Sequence, residues 1–166
     1  MALSVPLSRF TSRVGGGSAF YVSRTPMDFD DCFGPEVKVV DLKAQDRWQA
    51  IEELINHLVE THKIQSQHRD SIVESIRKRE LSMSTGIGFG IGIPHASTEL
   101  VSDLVAVVGR SRKGIQFDAL DSKPVHLVFL FLVPAGQFQK HIHVLANIAK
   151  LLHRQDFRDG LWGRFM

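Results

Sequence analysis

Hydrophobic positions along the chain change period several times, and each change marks an element. Val37, Val39, Val40 and Leu42 read as a first strand. Trp48, Ile51, Leu54, Ile55, Leu58 and Val59 then recur at helical spacing, which predicts an amphipathic helix of about 18 residues. After Lys63–Ser66 a second helix is expected from about Gln67 to Arg79, with Ile72, Val73 and Ile76 turned inward and Asp70 in its first turn. Leu104 to Val108 and Val125 to Val133 are near-continuous apolar runs, as expected of strands covered on both faces. Gly114, Asp118, Asp121 and Pro124 mark turns between them. A third helix is expected from Phe138 to about Arg154, followed by an aromatic, glycine-broken tail ending Trp162-Gly163-Arg164-Phe165-Met166. Strand, helices, strands and helix in this order give one domain of α/β or α+β class.

Residues 1–35 fit none of these periods. Arg and Ser are scattered there, Gly15-Gly16-Gly17 interrupts any amphipathic helix, and Asp28, Asp30 and Asp31 form an acidic patch. This stretch reads as a disordered N-terminal tail, and residues 36–166 as the folded domain. In a chain of 166 residues, folding buries roughly 70% of the surface that the unfolded form exposes, so no metal or covalent staple is needed. The formal charge is +2, but Arg9, Arg13 and Arg24 lie in residues 1–26 without an acid, which leaves −1 over the rest. A folded part without a basic stripe makes nucleic acid a poor partner. The single cysteine, Cys32, permits no internal disulfide and suits a reducing cytoplasm. No apolar run approaches the ~20 residues of a membrane helix, so direct membrane insertion is not expected.

The segment Thr85-Gly86-Ile87-Gly88-Phe89-Gly90-Ile91-Gly92-Ile93-Pro94-His95 alternates glycine with large apolar residues. An extended chain puts the glycines on one face and Ile87, Phe89, Ile91 and Ile93 on the other. The glycine face reads as bare backbone that another chain or an anion could approach. The dinucleotide fingerprint and the phosphate-binding loop both fail here, the first because its last glycine is isoleucine, the second because Gly-Lys-Ser/Thr is absent. No cofactor is expected. Pro94 fixes its own backbone and holds Ile93 extended, so the imidazole of His95 is mounted rigidly at a strand end. A neutral imidazole can accept a phosphoryl group through its unprotonated nitrogen and pass it on.

Two further sites bear on that chemistry. On the third helix His141 shares a face with Leu145, Ile148 and Leu152, and His143 falls with Asn147, Lys150 and Arg154. The first histidine should turn inward and the second to water. A His-x-His pair lies on different sides of a helix and has no Cys or carboxylate spaced to complete a tetrahedral set, so no metal is expected. Arg79, in Arg77-Lys78-Arg79-Glu80 at the end of the second helix, is a candidate fork for phosphate oxygens, although such a cluster also serves as an ordinary helix C-terminus.

Taken in order, Arg79-Glu80, Ser84 through His95, Phe117-Asp118-Ala119-Leu120-Asp121, Pro124-Val125, Leu132-Val133-Pro134-Ala135 and His141-Ile142-His143-Val144-Leu145 resemble the type-2 enzyme IIA domain of the bacterial phosphoenolpyruvate-dependent sugar phosphotransferase system, in its fructose, mannitol and nitrogen-regulatory forms. The Gly-x-Gly-Ile-x-Ile-Pro-His stretch is the specific part, and the likeness spans about residues 37–155. It implies a single α/β domain with a mixed central sheet flanked by helices. His95 would take a phosphoryl group on its remote ring nitrogen from the phosphocarrier HPr or its nitrogen-branch counterpart. His141 and Arg79 would steady that group, with no metal or cofactor. The group would pass to a IIB domain, or its presence would regulate a target protein. The free-standing size and the pattern at 140–143 lean toward the nitrogen-regulatory form. A sugar-transport IIA is the first alternative, and a binding module that is never phosphorylated the second. Two departures stand out: Ala96 follows His95 where the family often has Gly, and where the family usually has another apolar, acid-bearing helix this sequence has the tail with Leu161-Trp162-Gly163, so that the last element is either missing or replaced.

Overall fold

The computed structural model describes residues 3–4 and 38–166. Among the described residues seven strands form one mixed sheet. They are β1 (Leu3–Ser4), β2 (Val39–Asp41), β3 (Gly86–Gly88), β4 (Ile91–Gly92), β5 (His95–Thr98), β6 (Val105–Ile115) and β7 (Val125–Pro134). The helices are α1 (Arg47–Glu60), α2 (Arg69–Ser82), α3 (Phe138–His153) and α4 (Gln155–Phe165). Antiparallel β6 and β7 are the spine. On the free side of β6, β1 and β2 lie end to end, antiparallel and parallel respectively. On the free side of β7, β4 and β5 lie end to end, both parallel to it, and β3 folds back on β4. Two residues of the expected tail therefore form β1. The rest of residues 1–35 lies outside the described residues.

The continuous apolar runs resolve into two faces by parity. Val105, Val107, Val128, Leu130 and Leu132 pack with α1 and α2 through Ile51, Leu54, Ile55, Leu58, Ile72 and Ile76. Ala106, Val108, Leu127, Phe129, Phe131 and Val133 pack with α3 and α4 through Ile148, Leu151, Leu152, Leu161 and Phe165. Helix, sheet, helix is the resulting layering. Asp46 caps α1 by accepting from the backbone N–H groups of Trp48 and Gln49 through Oδ1, both at 2.9 Å.

Two expectations are corrected. The glycine-broken tail is helical, because Leu161 and Phe165 are buried on the sheet and Arg110 Nη1 donates to the Phe165 carbonyl at 2.7 Å. Tertiary burial outweighs the low helix propensity of Gly160 and Gly163. The glycine run, in turn, is a hairpin and not one extended ribbon. Phe89 and Gly90 both have positive φ, 57° and 74°, so the chain reverses there as in a type I′ turn. Asp121 fastens the turn: its Oδ2 accepts from Phe89 N at 3.1 Å and its Oδ1 from Lys123 N at 3.0 Å.

The glycine face is not bare either. The loop from Gln116 to Lys123 lies across it, with Leu120 N donating to Gly86 O at 2.9 Å and Ser84 Oγ to Phe117 O at 2.9 Å. A Cβ on Gly86 would stand 2.8 Å from both Cα and Cβ of Ala119, and one on Gly92 would stand 3.0 Å from the Phe117 ring. The glycines are needed because the chain's own Phe117 and Ala119 take the space. Gly86→Ala should therefore lower the unfolding free energy by about 1–3 kcal/mol in urea titration, and an unchanged midpoint would count against this packing.

Candidate functional site

His95 opens β5 opposite Phe131. Strands β4 and β5 are separated only by Ile93-Pro94, where Phe131 N donates to Pro94 O at 3.0 Å and keeps the break tied to β7. Ile91 and Ile93 pack on the α3–α4 side, and Ala96 packs on the α1–α2 side. Alternation then sends the half-buried imidazole of His95 to the α3–α4 side.

Its Nδ1 lies 2.9 Å from the Ile93 carbonyl oxygen. A carbonyl can only accept, so Nδ1–H donates and the lone pair of the neutral ring sits on Nε2. Burial pushes the imidazole pKa below its ordinary value. The Ile93 hydrogen bond opposes this, the positive charge of Arg79 adds to it, and Glu80 opposes it. Such a ring is neutral at pH 7 and presents a nucleophilic nitrogen.

A stability consequence follows from this depression. Below its ordinary pKa of 6.5 the unfolded histidine takes up a proton that the folded one resists, so the unfolded state binds more protons and stability falls on acidification. His95 contributes fully above pH 6.5, and its contribution is lost as pH drops through the lower, folded pKa. His57, also depressed by burial, acts in the same direction. We expect His95→Gln to flatten the slope of unfolding free energy between pH 7 and 5 relative to the wild type. Parallel slopes would contradict the burial of the ring.

Arg79 sits in the last turn of α2, and its Nη1 donates to Met83 O at 3.2 Å and to Ser82 Oγ at 3.5 Å. The guanidinium is thereby folded over the corner between α2 and β3, near enough to His95 for its charge to act on the ring. The side chain of His141 lies outside the described residues; its backbone belongs to α3. That helix begins just after Pro134, which pairs with Thr98, and its last residue, His153, meets the Phe89 ring edge-on with centroids 6.1 Å apart. It therefore runs back along β5 and β4. The backbone of residue 141 belongs to the start of this helix, which packs on the face to which the imidazole points.

Two polar residues near the site, Glu80 and Arg47, received no role in the sequence reading. Glu80 is 1% exposed, and its carboxylate accepts from Thr85 N at 2.9 Å through Oε1 and from Thr85 Oγ1 at 2.6 Å through Oε2. Arg47 Nη1 stands 3.6 Å from Glu80 Oε1, and Arg47 Nη2 stands 3.3 Å from Asp118 Oδ2. The available signal was the stripe Ile72, Ile76, Glu80: a carboxylate continuing an apolar row at helical spacing is buried, and a buried carboxylate needs partners. Among the described residues no group of three His, Cys, Asp or Glu is arranged to hold a metal ion.

A family model described as phosphoenolpyruvate-dependent sugar phosphotransferase system, EIIA 2, matches residues 32–162. The chain is 40% identical over 112 residues to the PTS system fructose-specific EIIA component of Haloferax volcanii, covering 68% of this chain and 71% of that protein. It is 33% identical over 130 residues to a nitrogen regulatory protein of Bradyrhizobium diazoefficiens, covering 78% and 83%. Among solved structures, nitrogen regulatory protein IIA-Ntr from Neisseria meningitidis superposes with a TM-score of 0.66 at 31% identity, over 74% of this chain and 82% of that one.

Proposed function

The chain belongs to the EIIA 2 family of the phosphoenolpyruvate-dependent sugar phosphotransferase system, and from that premise we propose that it is a phosphoryl carrier whose acceptor is Nε2 of His95. The observation that carries this reading is the 2.9 Å bond from His95 Nδ1–H to Ile93 O, which leaves the remote nitrogen as the nucleophile. Its lone pair attacks the phosphorus of a phosphorylated HPr-type phosphocarrier. The new P–N bond forms as the bond to the donor nitrogen breaks, and the departing electron pair stays on that nitrogen. Transfer of this kind needs little covalent help from the protein and much orientation and charge neutralisation. Arg79 supplies the charge at the corner beside His95, and His141 steadies the phosphoryl oxygens from the first turns of α3.

Donor and acceptor are proteins in this reading. Leu81 and Met83, 70% and 65% exposed, follow Arg79 at the end of α2 and give a partner an apolar footing near the cation. The relatives carry both fructose-specific and nitrogen-regulatory names. The reading adopted is the regulatory one, in which the phosphorylation state of His95 is read by a target protein; delivery to a sugar-transporting IIB domain is the alternative. Among the described residues no helix is long and apolar enough to cross a membrane, and the proposed place of action is the cytoplasm.

Incubation with phosphoenolpyruvate, enzyme I and an HPr-type phosphocarrier should add one acid-labile phosphoryl group, mapped to the peptide that holds His95. Addition of a fructose-type IIB domain separates the two branches: discharge at a rate matching the loading step favours transport, and a persistent phosphoprotein favours regulation. A wild type that stays unlabelled with every phosphocarrier tried would favour a module acting by contact alone.

A further inference from the structure

Four hydrogen bonds and one ion pair join the buried end of α2 to the ring of His95. Arg47 Nη1 faces Glu80 Oε1 at 3.6 Å. Glu80 accepts from both the backbone N–H and the hydroxyl of Thr85, at 2.9 and 2.6 Å. The carbonyl of Thr85 accepts from Ile93 N at 3.0 Å. The carbonyl of Ile93 accepts from His95 Nδ1–H at 2.9 Å. No water is needed to complete the path, and three of its four hydrogen bonds engage a backbone group.

Resting on the phosphoryl-carrier reading and deepening it, we infer that Glu80, with Arg47 behind it, is a positioning residue that sets the orientation and tautomer of His95 through Thr85 and Ile93. The hairpin between Thr85 and Ile93 contains four glycines and takes its position from its neighbours: Asp121 holds the turn, β7 holds β4, and Glu80 holds the Thr85 end. Glu80 fixes Thr85 twice, once at the main chain and once at the hydroxyl. Thr85 in turn holds the N–H of Ile93, and Pro94 keeps Ile93 in extended geometry, which limits the directions its carbonyl can take. The carbonyl is thus aimed at the imidazole, and the ring keeps its proton on Nδ1. An apolar side chain in place of Glu80 would fill the same space without the cost of burying a charge, but could hold neither Thr85 donor. Glu80 is also the residue next to Arg79. The same anchor therefore sets the corner of α2 from which the guanidinium reaches the site, and the distance between cation and imidazole depends on it.

Hydrogen-bond partners that orient metal-ligating histidines change activity by ~10- to 100-fold when removed although they never touch the reacting group, and the low end of that range is the effect expected here. The test reads the tautomer directly, by long-range proton–nitrogen NMR correlations of the His95 ring in the unphosphorylated protein, beside the rate of phosphoryl acceptance. The wild type should show a single Nδ1–H form. Glu80→Gln should show a mixture of the two neutral forms and accept the group about tenfold more slowly. Thr85→Val, which removes only the hydroxyl link, should move both readouts in the same direction by less, and Thr85→Ser should restore them. Ile76→Val, on the same helix but away from the path, serves as a control for loss of packing.

Wild-type tautomer and rate in both Glu80→Gln and Thr85→Val would overturn the inference, as would changes no larger than those in Ile76→Val. If Glu80→Gln does not fold, the Val and Ser pair at position 85 decides alone. The tautomer needs no phosphoryl donor, so a wild type that never accepts the group would defeat the proposed function while leaving this inference to be judged on the NMR result.

Discussion

His95→Gln is expected to accept no phosphoryl group at all, with the fold intact. Glutamine approximates the ring in length and polarity, but it offers no nucleophilic nitrogen. The loss should appear in the labelling reaction as absence of the acid-labile adduct, with circular dichroism and thermal unfolding close to the wild type. Arg79→Ala should retain acceptance but slow it on the order of 10²-fold, the range typical of losing one charge-stabilising group. His141→Ala should slow it less than His95→Gln does. Residual labelling of His95→Gln at the wild-type rate would move the acceptor to another residue. His143, on the same helix as His141, and His153, against the Phe89 turn, would be the next to map.

Phe117→Ala should cost about 3–5 kcal/mol of stability, the largest structural effect expected from one substitution here. The ring is 1% exposed and is the surface on which Gly86 and Gly92 close. Its removal leaves a cavity that two glycines cannot fill, because neither has a side chain to move into it. The ribbon leading to His95 loses its support on that face, so phosphoryl acceptance should fall along with stability. Guanidinium titration measures the first effect and the labelling rate the second. A loss under ~1 kcal/mol would show that the loop across the glycines is not packed as described.

Much of this architecture was legible because burial on two faces leaves a strong signature. The runs at Val105 and Val125 had to be strands covered by helices, and the 3.6-residue pattern of α1 and α3 left no competing reading. What escaped the sequence depended on contacts between distant residues. Nothing local says that Phe89, a bulky residue, adopts positive φ; Asp121, 32 residues on, holds that turn. Nothing local says that Gly86 and Gly92 are closed off by Phe117. The last helix was hidden by Gly160 and Gly163, whose low propensity is overcome by anchors on another element, Arg110 to the Phe165 carbonyl among them.

The candidate site divides in the same way. His95 could be singled out because Pro94 and the glycine pattern surround it in sequence. Arg79 was an ambiguous cluster member until the fold placed it at the α2 corner, with its charge felt at the ring. Glu80 was passed over as one more charge in a charged run, although its helical position already aligned it with Ile72 and Ile76. Residue type drew attention to the histidine; burial, which type alone does not reveal, singles out the glutamate.

The most direct measurement is nitrogen-resolved NMR of the phosphorylated protein, in which phosphorus coupling and the ring nitrogen shifts of His95 report which atom carries the group. A phosphoryl group on Nε2, with Nδ1 still protonated and bonded to the Ile93 carbonyl, is the predicted result. A phosphoryl group on Nδ1 would require that bond to be absent and would contradict the account at its centre.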